Sequence, residues 1–311
     1  MKSKTTKLLL TLAAAFAASA ACPQGRQFIL DADTGNEMDD LYAIARVMLD
    51  RDAKILALGS AHFNNLGMLS QDGGDSLPPV MNTVKESQRL NQLLARACGR
   101  EDIPLPEGSN RFIGEAWGIT DRYSPSEVSR TIISEAKKQM ATGGKLDVIC
   151  IGASTNLVSA MMEAPEVVPH IRAWLLAARY DKEKGVWDKS EYNVRNDLNA
   201  FDYLMNSREL ELYVMPVSTA VDLRFMRKET QERLRGDRLL GEILSARWDD
   251  VSAGEDWIMW DLALVEACLN PSVATFEVRP APPENGGRPI NVYTHINANE
   301  IKSAFWSVYE Q

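Results

Sequence analysis

The sequence predicts an α/β fold: a mostly parallel central sheet with helices on both faces, in a single domain over residues 22–311. Three observations carry that prediction. Short apolar runs of strand length alternate with stretches of helical periodicity, the pattern of strand–helix–strand units. Composition is that of an ordinary globular chain, with 45% apolar and 25% charged residues, which excludes collagen-like, coiled-coil and disordered chains. Carboxylates gather directly after the first strand, where ligands of parallel sheets bind.

The chain opens on MKSKTTKLLLTLAAAFAASAAC. Lys2, Lys4 and Lys7 form a basic start, and the run from Leu8 to Ala21 is apolar but for Thr11 and Ser19. That run is too short to span a bilayer, which takes about 20 residues. Residues 1–21 therefore read as a signal peptide, and the protein as exported to the periplasm or cell envelope. The small residues end at Cys22, and small-small-Cys resembles the bacterial lipoprotein box, with Ser19 where that box usually carries Leu. Lipid attachment at Cys22 and plain cleavage after Ala21 are both open. A lipid there would be the one membrane contact, since no other stretch could cross.

Strands are expected at Phe28–Leu30, Lys54–Leu58, Leu146–Ile151, Ala173–Ala177 and Leu212–Val217. Helices fall between them, at Asp39–Leu49 with Leu41, Ile44, Ala45 and Met48 on one face, and at Val84–Ala97, Thr155–Met162 and Leu198–Met205. Ser124 with Pro125 and Glu127 reads as a capping box, starting a helix that runs to about Met140. From Val278 the chain is richer in Pro and Gly. PAPPENGGRP is a loop before a strand at Ile290–Thr294 and a closing helix at Glu300–Tyr309.

Charge narrows the partners. Asp plus Glu number 43 against 34 Lys plus Arg, a net −9 with no basic block, which argues against nucleic acid. Cys98, Cys150 and Cys268 match no metal knuckle or disulfide framework and read as small buried hydrophobes. With three His and no His-rich motif, zinc is disfavoured.

FILDADTGNEMDD puts Asp31, Asp33, Glu37, Asp39 and Asp40 within ten residues. Asp31 and Asp33 share one face of the strand end, and Asp39 and Asp40 start a helix where carboxylates suit the dipole. Helix capping explains Asp39 and Glu37 but not four Asp at one junction, where repulsion demands a cation. An all-oxygen, highly charged site favours Ca²⁺ or Mg²⁺.

Two families begin this way. In haloacid-dehalogenase-type phosphatases the strand ends DxDxT, but Thr34 comes one residue early, and no phosphate-binding Lys with a later acidic pair is evident. In nucleoside hydrolases it ends DxDPGxDD; here Thr34 replaces Pro, and Asn36-Glu37 are two extra residues. Five further segments resemble the second family, in order: ILALGSAHFNN, ACGREDIPLPEGS, VICIGASTNLVSAMMEAPEVV, SEYNVRNDLNA and WDLALVEACLNPSVATF. The resemblance covers nearly the whole chain after the leader.

That resemblance implies hydrolysis of the bond between ribose C1′ and a base nitrogen, through an oxocarbenium-like transition state. It implies one Ca²⁺ that binds the nucleophilic water and two ribose hydroxyls. Asp33, Asp40 and Asp261 would supply its carboxylates, and Ile151 a main-chain carbonyl. Asp33 would also be the general base, with Asp31 orienting the loop. Asp39, Asn64, Glu191 and Asn193 would hold ribose. A further family Asn, about six residues before the Glu, has no counterpart near Gly185 and Val186.

Many family members carry a His before the last Asp. This chain has Trp260, similar to the purine-preferring branch in which Trp stacks on the base. Trp117, Tyr123, Tyr180 and Trp187 lie in loops that could face it. His62, near Asn64, is a proton donor or a structural His. Family members are commonly homo-oligomers. Two other readings stay open: a hydrolase of the same fold acting on another ribosyl or glycosyl substrate, and a non-catalytic nucleoside- or sugar-binding protein of the envelope.

Overall fold

The computed structural model describes residues 27–64, 82–114, 122–236 and 238–311. The leader, Cys22 and Trp117 lie outside the described residues. Among the described residues, no helix is long and apolar enough to cross a membrane.

The central sheet has seven strands: β1 (Gln27–Ala32), β2 (Lys54–Ser60), β3 (Leu146–Cys150), β4 (Ile171–Leu176), β7 (Glu211–Met215), β10 (Ala274–Pro280) and β11 (Pro289–Ile296). Two antiparallel strand pairs stand apart from it: β5 (Arg179–Asp181) with β6 (Val186–Asp188), and β8 (Arg224–Met226) with β9 (Asp256–Ile258). The sheet order is β10-β11-β7-β4-β3-β1-β2. All neighbours are parallel except β10 and β11.

β1 to β4 are apolar nearly throughout, as strands covered on both faces must be. One apolar layer joins the helices Asp39–Leu49, Trp260–Leu269 and Ala298–Tyr309 to one side of the sheet. Another joins Glu127–Thr142, Thr155–Glu163 and Leu198–Asn206 to the opposite side. After β1 the chain first adds β2 on one side, then crosses back to place β3 on the other. The carboxyl ends of β1 and β3 thus flank the point where strand order reverses, the crevice such sheets use for ligands.

The helix after the Ser124 segment is capped differently from expectation. Ser126, not Ser124, is the N-cap: its extended backbone lets its hydroxyl accept from Ser129 N–H while the Ser129 hydroxyl accepts from Ser126 N–H. The Ser124 hydroxyl is instead bonded to that of Ser109. β10 was hidden from periodicity because it is an edge strand with mixed exposure. Cys98, Cys150 and Cys268 are buried, as expected.

Candidate active site

The site is assembled from strand ends. Asp31, the fifth residue of β1, is buried, and Asn156 of the helix Thr155–Glu163 donates to both its oxygens at 3.2 and 3.0 Å. Burial, only partly offset by Asn156, pushes its carboxyl up to about 7. Asp31 is therefore tied to the scaffold beside the loop. Asp33 follows β1, and its carbonyl closes a turn by accepting from Asn36 N–H at 2.8 Å. The end of β3 comes against it so closely that a Cβ on Gly152 would lie 2.8 Å from Asp33 Oδ1. Only glycine permits that approach, which explains the glycine after Ile151.

Asp39 and Asp40 open the helix Asp39–Leu49, and Asp261 opens Trp260–Leu269. Each of these three offers a carboxylate oxygen, and those atoms lie within 4.8 Å of one another. The two helices are locked by a buried ion pair, Arg46 Nε to Glu266 Oε2 at 2.7 Å. Asp39 is the partnered member: its Oδ2 accepts from Asp261 N–H at 3.1 Å, capping the second helix, and its Oδ1 faces Trp257 Nε1 at 3.5 Å. By contrast, Asp33 Oδ2 and Asp40 Oδ1 are buried without a donor among the described residues.

These groups face a cleft lined also by Asn36, Glu37, Ile151, Leu176, Arg179, Glu191, Tyr192, Asn193, Val217 and Trp260. Six of the lining residues are carboxylates and one, Arg179, is a cation. Burial, then repulsion from Asp40 and Glu37, holds the Asp33 carboxyl well above the usual range. Burial and then Asp39 do the same at Asp40, and burial with Asp39, Asp40 and Asp33 at Asp261. Glu37, buried and repelled by Asp39 and Glu191, is pushed up to about 7. Orphaned oxygens and mutual repulsion at one point are what a hard divalent cation relieves, so the donor set fits such an ion.

Glu191 caps the short helix Tyr192–Asn196, accepting from Asn193, Val194 and Ala178 N–H at 2.9–3.1 Å. Ala178, one of these donors, adopts φ 62°, a left-handed conformation rare without glycine. Asn193 donates to the carbonyls of Leu176 and Ile151 at 3.1 and 3.3 Å. The Ile151 carbonyl thus has one lone pair engaged and one left. Trp260 is half-buried on the cleft wall.

Asn64 departs from expectation. It is not among the cleft-lining residues; its amide donates to Asn110 Oδ1 at 2.8 Å and its Oδ1 accepts from Thr83 at 2.8 Å. As placed, its carboxamide is committed to neighbouring loops rather than turned to a ligand. His62 is also out of the cleft, fully buried and 2.8 Å from Thr155 Oγ1, with burial lowering its pKa to about 4. A neutral, enclosed imidazole is a structural histidine. Tyr180 and Trp187 pack on each other at 4.5 Å, and neither lines the cleft. Tyr123 does not line it either.

Sequence reasoning missed Arg179 and Tyr192. Arg179 lies three residues past β4, so the strand-end rule could have found it. Tyr192 sits between two chosen residues, and burial together with the Asp33 charge raises its phenol pKa, keeping the O–H protonated.

The sequence model of the inosine-uridine preferring nucleoside hydrolase family matches residues 28–300. No protein of curated function matches closely enough to stand as a relative. Among solved structures, a plant nucleoside hydrolase, the PpNRh1 enzyme, aligns with TM-score 0.68 at 17% identity, over 91% of this chain and 98% of that one. A purine-preferring ribonucleoside hydrolase from Gardnerella vaginalis aligns with TM-score 0.63 at 16% identity, over 91% and 98%. An inosine-uridine preferring nucleoside hydrolase from Bacillus anthracis aligns with TM-score 0.65 at 12% identity, over 91% and 99%. At such identities the structural likeness speaks for the fold. The match over residues 28–300 speaks for the family: this chain belongs to the inosine-uridine preferring nucleoside hydrolases and is an N-ribohydrolase.

Proposed function

We propose that this N-ribohydrolase prefers purine ribonucleosides and works with a calcium ion held by Asp33, Asp40, Asp261 and the Ile151 carbonyl. The observation that carries the metal assignment is the pair of buried, donorless oxygens, Asp33 Oδ2 and Asp40 Oδ1, beside the Asp39–Asp40–Asp261 cluster. When bound, calcium supplies positive charge that offsets these carboxylates and favours ionisation of water. Asp33 Oδ2, which meets no donor among the described residues, would accept the proton that water gives up as its oxygen attacks C1′. The C1′–N bond breaks, its electron pair stays with the base nitrogen, and ribose gains the hydroxyl.

Asp39, Glu191 and Asn193 offer acceptors and donors to the ribose hydroxyls. The carboxylate-lined cleft favours the positive charge that builds on ribose in the transition state. Trp260 supports a purine preference, because its indole gives the larger base a flat apolar face. The leader supports export, with hydrolysis in the periplasm or cell envelope.

Reducing sugar released from a panel of ribonucleosides, with and without a chelator, tests this reading. Inosine, adenosine and guanosine should be cleaved faster than uridine and cytidine, the chelator should stop the reaction, and calcium should restore it. No cleavage of any ribonucleoside with calcium present would overturn it.

A further inference from the structure

The loop between Asp33 and Asp39 is longer than the family motif by Asn36-Glu37, and it is held by a residue from far along the chain. Arg247, on the helix Leu239–Asp250, donates from Nε to the Glu37 carbonyl at 3.0 Å and from Nη2 to the carbonyls of Gly35 and Asn36 at 2.8 and 3.2 Å. Gly35 N–H is bonded in turn to Ser87 Oγ at 3.3 Å. Three consecutive carbonyls on one guanidinium fix the backbone of the inserted residues. The Glu37 side chain is left facing the cleft, and among the described residues no hydrogen bond or ion pair engages it. It stands within the repulsive reach of Asp39 on one wall and Glu191 on another. A loop that holds a carboxylate against two like charges is sustained by the clamp, and that carboxylate lines the cleft.

We propose that Glu37, presented by Arg247, is a specificity-determining residue that hydrogen-bonds one hydroxyl of the substrate's sugar. This rests on the ribonucleoside reading above. A carboxyl oxygen between Asp39 and Glu191 adds an acceptor to a sugar-binding wall, so it favours the fully hydroxylated sugar over the analogue lacking the contacted hydroxyl. Glu37 takes no part in bond breaking; Arg247 is a positioning residue that acts through it.

The test is an enzyme–substrate cycle. kcat/KM is measured for inosine and for its 2′-, 3′- and 5′-deoxy analogues with the wild-type protein, Glu37→Ala and Arg247→Met, calcium present throughout. Glu37→Ala should lose roughly 10- to 100-fold on inosine, the usual worth of one such contact. On one of the three analogues it should lose nothing beyond what the wild type already loses. Arg247→Met should show the same pattern. Because Glu37→Ala removes a side chain repelled by its neighbours, its melting temperature should not fall, which separates recognition from folding. Equal proportional losses on inosine and on all three analogues, or no loss on inosine, would overturn the proposal. A wild-type protein inactive on every ribonucleoside would instead remove the reading on which it rests.

Discussion

Among the described residues Asp33 and Asp40 each keep one buried carboxylate oxygen without a donor, whereas each oxygen of Asp39 already meets one, Asp261 N–H or Trp257 Nε1. That difference divides the roles within a row of similar side chains. Asp33→Asn keeps an oxygen at the site but loses the base. Turnover of inosine should then fall by roughly 10²-fold or more, the typical worth of a positioned base. An unchanged turnover would take Asp33 out of that role. Trp260→Ala should lose roughly 1–3 kcal/mol of base interaction, the range for one stacking contact. Comparing kcat/KM for inosine and uridine reads that loss, which should be larger for inosine; equal losses would make Trp260 packing rather than recognition. Asp33 was legible from the DxD pattern. Asp261 needed the likeness of its whole segment to a family motif, because a single Asp at a helix start is ordinary. Asn64 was expected at the ribose, whereas its carboxamide meets Asn110 and Thr83; an Asn at a strand end is equally suited to bridging loops, and those partners are distant in sequence.

The helices Asp39–Leu49 and Trp260–Leu269 carry Asp40 and Asp261, and their relative placement depends on Arg46 and Glu266. Arg46 is 6% exposed and Glu266 1%, so neither charge can turn to solvent. Breaking such a pair from one side leaves a buried charge uncompensated. Glu266→Ala should lower stability by roughly 3–5 kcal/mol, measured by urea denaturation; Asp50, which also touches Arg46 at 2.8 Å, holds the loss toward the lower end. A loss below about 1 kcal/mol would show that Asp50 alone suffices for Arg46. The strands and helices that bury one apolar stripe were readable from periodicity. The β5–β6 and β8–β9 strand pairs were not, since three-residue strands are too short to establish a period.

Across the molecule the cleft concentrates negative charge where the folded chain must bury it. Asp31 and Glu37 are both pushed up to about 7 from ordinary values near 4. Carboxyls raised in the folded state bind protons more tightly there than in the unfolded chain. Their destabilising contribution is absent below about pH 4, grows as pH rises, and is complete above about 7. The calcium-free protein should therefore melt at a higher temperature at pH 5 than at pH 8. Asp33, Asp40 and Asp261, the proposed calcium ligands, are held above the usual range as well, so added calcium competes with protons for their oxygens and should raise the melting temperature more at pH 8. Thermal melts with a chelator and with calcium at both pH values check this. A chelated protein more stable at pH 8 than at pH 5 would contradict the burial and repulsion described for these carboxyls.

The sequence by itself determined the alternation of strands and helices, the acidic junction after β1 and the order of segments that marks the family. Those features are written in local periodicity and in residues adjacent along the chain. Only the tertiary structure decided that Asp39 caps a helix more than two hundred residues away, that Asn64 serves the loops, and that Arg247 clamps the inserted loop. Each is a contact between segments far apart in sequence. Which acceptor a donor meets there is set by how the sheet orders its strands, and no local pattern encodes it.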